Sequence, residues 1–167
     1  MAVSVSVSIS PVVTCRGREL QRYNKYGGRI VVGCIPYKFV DQILQVLVIS
    51  SRKSHSILFP KGGWDIDETL KEAAQRESFE EAGVEGIIEE SLGKWMYKSR
   101  RYDSFYEGYM LPMNVTAEFR QWPEKKEGRR RKWVSVSEAK EGCPHGWMKE
   151  ALQNLVDRLS TTTDHQL

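Results

Sequence analysis

Gly62 to Val84 reads GGWDIDETLKEAAQRESFEEAGV, and the order of its charges decides how the rest of the chain is understood. Thr69 to Ala82 is predicted as a helix, with acidic residues at its start and Gly83 as its stop. With Leu70 set at 0° and about 100° per residue, Leu70, Ala73 and Ala74 fall at about 0°, 300° and 40°. That is an apolar stripe for a core. Glu77, Glu80 and Glu81 arrive on the same line, at about 340°, 280° and 20°, while Phe79 points to about 180°. A solvated acidic face has the opposite arrangement. Three carboxylates on the core side repel one another and lose hydration, which is costly unless a cation joins them. Hard cations take carboxylate oxygens, so Mg²⁺, or Mn²⁺ in its place, is the expected occupant. No His or Cys is placed to make the site one for zinc.

Outward from this helix, the whole chain is 167 residues with a net charge of +3, 40% apolar and 28% charged. One domain is the prior at about 150 residues each. Five Trp, seven Tyr and five Phe exclude a disordered chain. Charged residues interrupt every apolar run short of the roughly 18 residues that span a membrane. Cys15, Cys34 and Cys143 are too scattered for a disulfide framework or a C-x-x-C site, and a reducing compartment follows as the default. The charge is unevenly spread. Asp65 to Glu90 carries a net −8, which leaves +11 elsewhere, and Arg120 to Lys132 holds seven basic and two acidic residues. An acidic centre in a basic surround fits a divalent cation beside a polyanionic ligand.

The flanking pattern gives the fold class. Strands are predicted over Arg29–Tyr37, Ile43–Ser50, Ile57–Phe59, Ser91–Tyr97, Phe105–Met113 and Arg131–Val136. Met148, Ala151, Leu152, Leu155, Val156 and Leu159 mark a packing helix with no chemistry of its own. Strands interleaved with helices argue an α/β arrangement with a mixed sheet between helices. Residues 1–18 are expected to be a flexible leader, 19–160 the domain, and 161–167 a flexible tail. The leader lacks an Arg-rich amphipathic pattern and a clear signal-peptide start. The expected compartment is therefore the cytoplasm, with the nucleus also open, rather than an organelle.

The quoted stretch resembles the Nudix box, G-x5-E-x7-R-E-U-x-E-E-x-G-U with U aliphatic. Gly62, Glu68, Arg76, Glu77, Glu80, Glu81, Gly83 and Val84 all fit, eight matches over the 23 residues 62–84. Ser78 departs from it, a matter of packing rather than of ligands. The resemblance implies an α/β/α sandwich and a hydrolase that cleaves a diphosphate linked to another moiety. It makes Glu77 and Glu81 metal ligands and Glu80 a further ligand or the general base. Lys61 and Gly62 would approach the same cation by their backbone, and Arg76 would orient the glutamates through Glu68.

Residues outside the box must choose the substrate. GCIPY, SSRK, PKGGW, RRYDSFYEGY and EGRRRKW resemble one Nudix subgroup over Arg16 to Arg158, the plant-type diphosphoinositol polyphosphate phosphohydrolases. That likeness implies removal of the β-phosphate from inositol pyrophosphates, with diadenosine or other nucleoside polyphosphates as the alternative. Arg22, Arg29, Ser50, Ser51, Arg52, Lys53, Lys61, Arg100, Arg101, Arg129, Arg130 and Arg131 are the candidate phosphate ligands, because Arg forks suit phosphate oxygens. A third reading is a non-catalytic binder of inositol polyphosphates or RNA through Arg129 to Lys132. A small-molecule polyphosphate is the expected partner of a monomer, with neither membrane nor nucleic acid.

Overall fold

The computed structural model describes residues 18–50, 56–99 and 104–164. Its centre is β1 (Ile30–Val40), which is buried along seven consecutive residues because both faces of the sheet are covered. β2 (Ile43–Ser50) pairs with β1 antiparallel. β7 (Phe105–Glu118) runs parallel to β1 from Ile30 opposite Glu107 to Tyr37 opposite Asn114. β3 (Ile57–Leu58) and β8 (Arg131–Ser135) extend β2. β5 (Val84–Ile88) and β6 (Lys94–Lys98) pair antiparallel with β7, and β4 (Lys61–Gly63) lies along β1. The sheet is therefore mixed, as expected.

Two layers of helix complete the sandwich. α1 (Leu70–Ala82) covers one face, where Ala73, Ala74 and Ala82 meet Val32 and Cys34 of β1, Leu47 and Ile49 of β2, and Leu111 and Met113 of β7. α2 (Val136–Gly142) and α3 (Gly146–Asp164) cover the other, where Met148, Ala151, Leu152 and Leu155 pack on Ile35, Tyr37, Val46, Val48 and Met110. Alternate residues of β1 and β2 thus feed opposite cores, the period-2 consequence of a pleated strand.

α1 begins and ends where its sequence dictates. Thr69 Oγ1 accepts the Glu72 amide and the Glu72 carboxylate accepts the Thr69 amide, a capping box. Gly83 closes the helix in the left-handed region at φ 64°, with its amide on Phe79 O. Several boundaries move. β6 starts at Lys94 rather than Ser91, β7 continues to Glu118, and β5 and α2 were not expected at all. β5 is masked in the sequence by Gly86 and follows α1 directly; α2 buries only Ala139, too little to show a period. α3 runs through Asp164, so the expected tail at 161 opens inside a helix. Residues 1–17, which hold nearly all of the expected leader, lie outside the described residues.

Candidate active site

The buried arc of α1 comprises Ala73, Ala74, Glu77, Ser78, Glu81 and Ala82. On the helical wheel this arc runs from about 300° to about 120°, so Glu80 at about 280° falls just beyond its edge. The two glutamates within it are 6% and 8% exposed, Glu77 and Glu81 respectively. Glu80 is only partly covered, its side chain 19% exposed. The inward trio expected from the sequence is thus a buried pair with a third carboxylate at the rim.

β4 brings a backbone against that pair. Its pairing with β1, Gly62 opposite Val32 and Lys61 opposite Gly33, fixes the chain beneath the helix. The Lys61 amide donates to Glu81 Oε2 at 3.1 Å. A Cβ at Gly62 would lie 2.1 Å from Glu77 Oε1, so only glycine leaves room for that carboxylate. Arg76 ties the loop to the helix. Its Nε and Nη2 donate to the two oxygens of Glu68, Nη2 also to Gly63 O, and Nη1 to Glu77 Oε1 at 2.6 Å. Glu68 Oε1 in turn accepts the Asp65 amide, which closes the loop over residues 65–68.

The electrostatics follow from this crowding. Burial comes first for both glutamates. It raises Glu77 to about 7, against the pull of Arg76, and Glu81 to about 8, with the charges of Glu77 and Glu124 adding to the effect. Burial also works against the charge of Arg76, but its bonds to Glu68 and the charge of Glu77 more than offset this and hold the guanidinium protonated. Glu124, from the short helical turn Pro123–Glu127, is held by Arg129 Nε at 2.9 Å. Among the described residues no three His, Cys, Asp or Glu side chains converge closely enough to hold a metal ion. One oxygen of Glu77 is turned onto Arg76 and one of Glu81 onto the Lys61 amide. The donor set nevertheless fits a divalent cation: two buried carboxylates, each made basic by its surroundings, lose that penalty when a dication joins them.

The candidate phosphate ligands divide. Arg129 reaches Glu81 at 3.8 Å and also donates to Ser50 O, and Arg130 is exposed beside it. Lys61 adds a positive charge near Glu81. Ser50 Oγ accepts the Arg130 amide, which ties β2 to the start of β8. Arg22 and Arg131 are each held by the protein's own carbonyls and an indole ring. Arg22 donates to Asp65 O, Ile66 O and Glu68 O and lies 4.2 Å from the Trp64 ring centre. Arg131 donates to Ala82 O, Gly83 O and Phe119 O, satisfying the carbonyl end of α1, with its guanidinium 4.1 Å from the Trp122 ring centre. Arg29 is likewise turned inward, with two donors on Gln21 Oε1. Ser51, Arg52, Lys53, Arg100 and Arg101 lie outside the described residues.

Ser78 is fully buried, donates to Ala74 O and faces Cys34, whose thiol burial pushes up to about 12 despite the Ser78 hydrogen bond. Such a thiol is no nucleophile at neutral pH. Glu124 escaped the sequence reading because it sits in a basic run far from the box; only the fold brings its charge to the pair.

A mixed-sheet sandwich with a capped helix that buries two glutamates over a glycine strand is the arrangement that defines one family, and the NUDIX domain model matches residues 28–156. The chain belongs to the Nudix family and is a hydrolase of phosphoanhydride bonds. It is 52% identical over 152 residues to "Nudix hydrolase 17, mitochondrial" of Arabidopsis thaliana, covering 87% of this chain and 82% of that one. It is 50% identical over 161 residues to "Nudix hydrolase 21, chloroplastic" of the same plant, covering 94% and 81%. More distantly, it is 29% identical over 126 residues to the Bos taurus diphosphoinositol polyphosphate phosphohydrolase 3-beta, covering 75% of each. Among solved structures the Ap4A hydrolase of C. elegans superposes with a TM-score of 0.60 at 20% identity, over 78% of this chain and 97% of that one. That last likeness concerns the fold alone.

Proposed function

We propose that the chain is a Mg²⁺-dependent hydrolase that removes the β-phosphate of diphosphoinositol polyphosphates, acting as a monomer on a small molecule rather than on nucleic acid. The observation that carries this reading is the neighbour of the glutamate pair. Arg129, 3.8 Å from Glu81, also lines a cavity of about 700 Å³ whose other charged walls are all basic. Trp122, its aromatic wall, has Arg131 and Lys125 against its ring at 4.1 and 5.1 Å. A ligand with phosphates all round and no base to stack suits such walls. A dinucleotide needs an open aromatic plate. The bovine relative named for diphosphoinositol polyphosphates supports the same choice.

Glu77 and Glu81, with the backbone at Lys61–Gly62, would hold the cation. When bound, Mg²⁺ neutralises diphosphate oxygens and makes water more acidic. The protein's own part is positional. Arg76 fixes Glu77 by a 2.6 Å bond and keeps the loop over residues 65–68 closed. Glu80, partly open at the rim, takes the proton of the attacking water as its oxygen bonds in line to the β-phosphorus and the bridging P–O bond opposite breaks, releasing phosphate and the inositol polyphosphate, help worth about 10²–10⁴ in rate. Arg129, bonded to Glu124 and 3.8 Å from Glu81, offsets part of the repulsion between them and puts a positive charge beside the pair.

The test is turnover of an inositol pyrophosphate and of a diadenosine polyphosphate side by side, with Mg²⁺ and with Mn²⁺. Phosphate release from the first, with at least tenfold preference in kcat/KM, is expected. Preference for the dinucleotide overturns the substrate assignment. The compartment is a separate matter: among the described residues no helix is long and apolar enough to cross a membrane. The plant relatives' names carry mitochondrial and chloroplastic addresses. Imaging the full chain with a C-terminal fluorescent tag decides, and a signal confined to an organelle overturns the cytoplasmic expectation.

A further inference from the structure

The cavity beside the glutamate pair holds more than the residues first singled out. It is an open depression lined by Arg120, Trp122, Lys125, Arg129, Arg130 and Arg131. Arg129 and Arg131 are spent largely on the protein, on Glu124, Ser50 O and the carbonyl end of α1. The exposed charge belongs to Arg120, Lys125 and Arg130. Lys125 Nζ gives one bond to Arg120 O, so the two residues form a single cationic corner, built by the turn at Pro123–Glu127. Gly128, at φ 88°, returns the chain from that turn towards β8. Trp122 is 8% exposed, yet its indole N–H has no acceptor among the described residues.

From these observations we infer that Arg120 and Lys125 form a second anion subsite. It takes the phosphate groups of the substrate that are remote from the bond being cut, and it sets the preference for densely phosphorylated substrates. The inference rests on the proposed substrate class: Arg129 both lines this cavity and lies 3.8 Å from Glu81. Nucleic acid fits less well, because Arg131 and Lys125 already lie against the Trp122 ring.

The experiment uses the full chain and inositol hexakisphosphate as the probe, titrated calorimetrically in EDTA. The Arg120→Gln/Lys125→Gln double variant should bind it about tenfold more weakly, the loss of roughly two charge-assisted contacts at a screened surface. Its KM for an inositol pyrophosphate should rise by a similar factor, with kcat within about twofold. Lys149→Gln, on α3 across the sheet, removes one charge without touching the cavity and should leave the affinity unchanged. Arg120→Glu should weaken binding more than Arg120→Gln, an order that a purely structural role does not produce. Equal affinity in parent and double variant overturns the subsite, and so does a parent that takes up no inositol hexakisphosphate. A parent that cleaves the pyrophosphate while its affinity ignores these substitutions keeps the substrate reading and loses the subsite. A parent that binds through them yet releases no phosphate keeps the subsite and loses that reading.

Discussion

α1 and α3 lie on opposite faces of one sheet and teach opposite lessons. α3 buries Met148, Ala151, Leu152 and Leu155, a stripe with no polar atom in it. α1 buries Ala73, Ala74 and Ala82 in the same manner, but puts Glu77, Ser78 and Glu81 into the arc between them. The first helix contributes stability by removing apolar surface from water. The second gives up part of that contribution to keep two carboxylates poorly hydrated and close together. Folding and function are therefore separable here, helix by helix.

The largest effect expected is on the functional side. Glu81→Gln should lower kcat/KM by about 10³-fold or more, because it removes a carboxylate proposed to hold the cation. The metal-free variant should unfold no more easily than its parent, because a neutral amide replaces a carboxyl whose charged form burial disfavours. Steady-state kinetics with urea unfolding in EDTA checks both, and a destabilised but active variant breaks the comparison. Leu152→Ala is the mirror experiment. It should cost about 2–5 kcal/mol of stability, read from the urea midpoint, with kcat/KM of the folded fraction unchanged.

A pH series sharpens the contrast. Burial holds Glu77 and Glu81 at about 7 and about 8, above the ordinary 4.5. Between these limits the metal-free folded chain binds more protons than the unfolded one, so stability falls as pH rises. The urea midpoint in EDTA should be lower at pH 8.5 than at pH 5.5. Substituting both glutamates by Gln should flatten the difference; a slope that persists unchanged assigns it to other groups. Gly83→Ala should cost about 1 kcal/mol or more, since the left-handed φ of 64° disfavours a side chain and the new Cβ meets Arg131 and Trp122. Thermal melting reads that loss. Smallest is Ser78→Ala, expected within about 1 kcal/mol of the parent, because the Ser78 hydroxyl bonds only to Ala74 O on its own helix and to the weakly polar thiol of Cys34 on β1.

Legibility in the sequence tracked the range of the interaction. The α3 stripe and the long runs of β1 and β2 are local periodicities, and they fall where expected. β5 and α2 were missed because each buries too little within its own few residues to show a period. The same division runs through the site. Glu68, Arg76, Glu77 and Glu81 lie within fourteen residues; helix geometry groups the last three, and Glu68 joins them from the preceding loop through Arg76. The surrounding arginines all looked equivalent, yet Arg22 lies against Trp64, Arg131 caps α1, and Arg129 is left beside Glu81.

The order of residues from Gly62 to Val84 by itself determined that this protein carries a helix with carboxylates on its inward face, because a helix's faces follow from its own periodicity. That a glycine strand lies beneath it came from the fold. Which of the many cations face that helix, that Glu124 loads the pair with further charge, and that Trp122 walls a basic cavity were decided only by the tertiary structure. Charges act through space, and the distances that set their strength exist only once the sheet has brought β2, β8 and the turn before it to the end of α1.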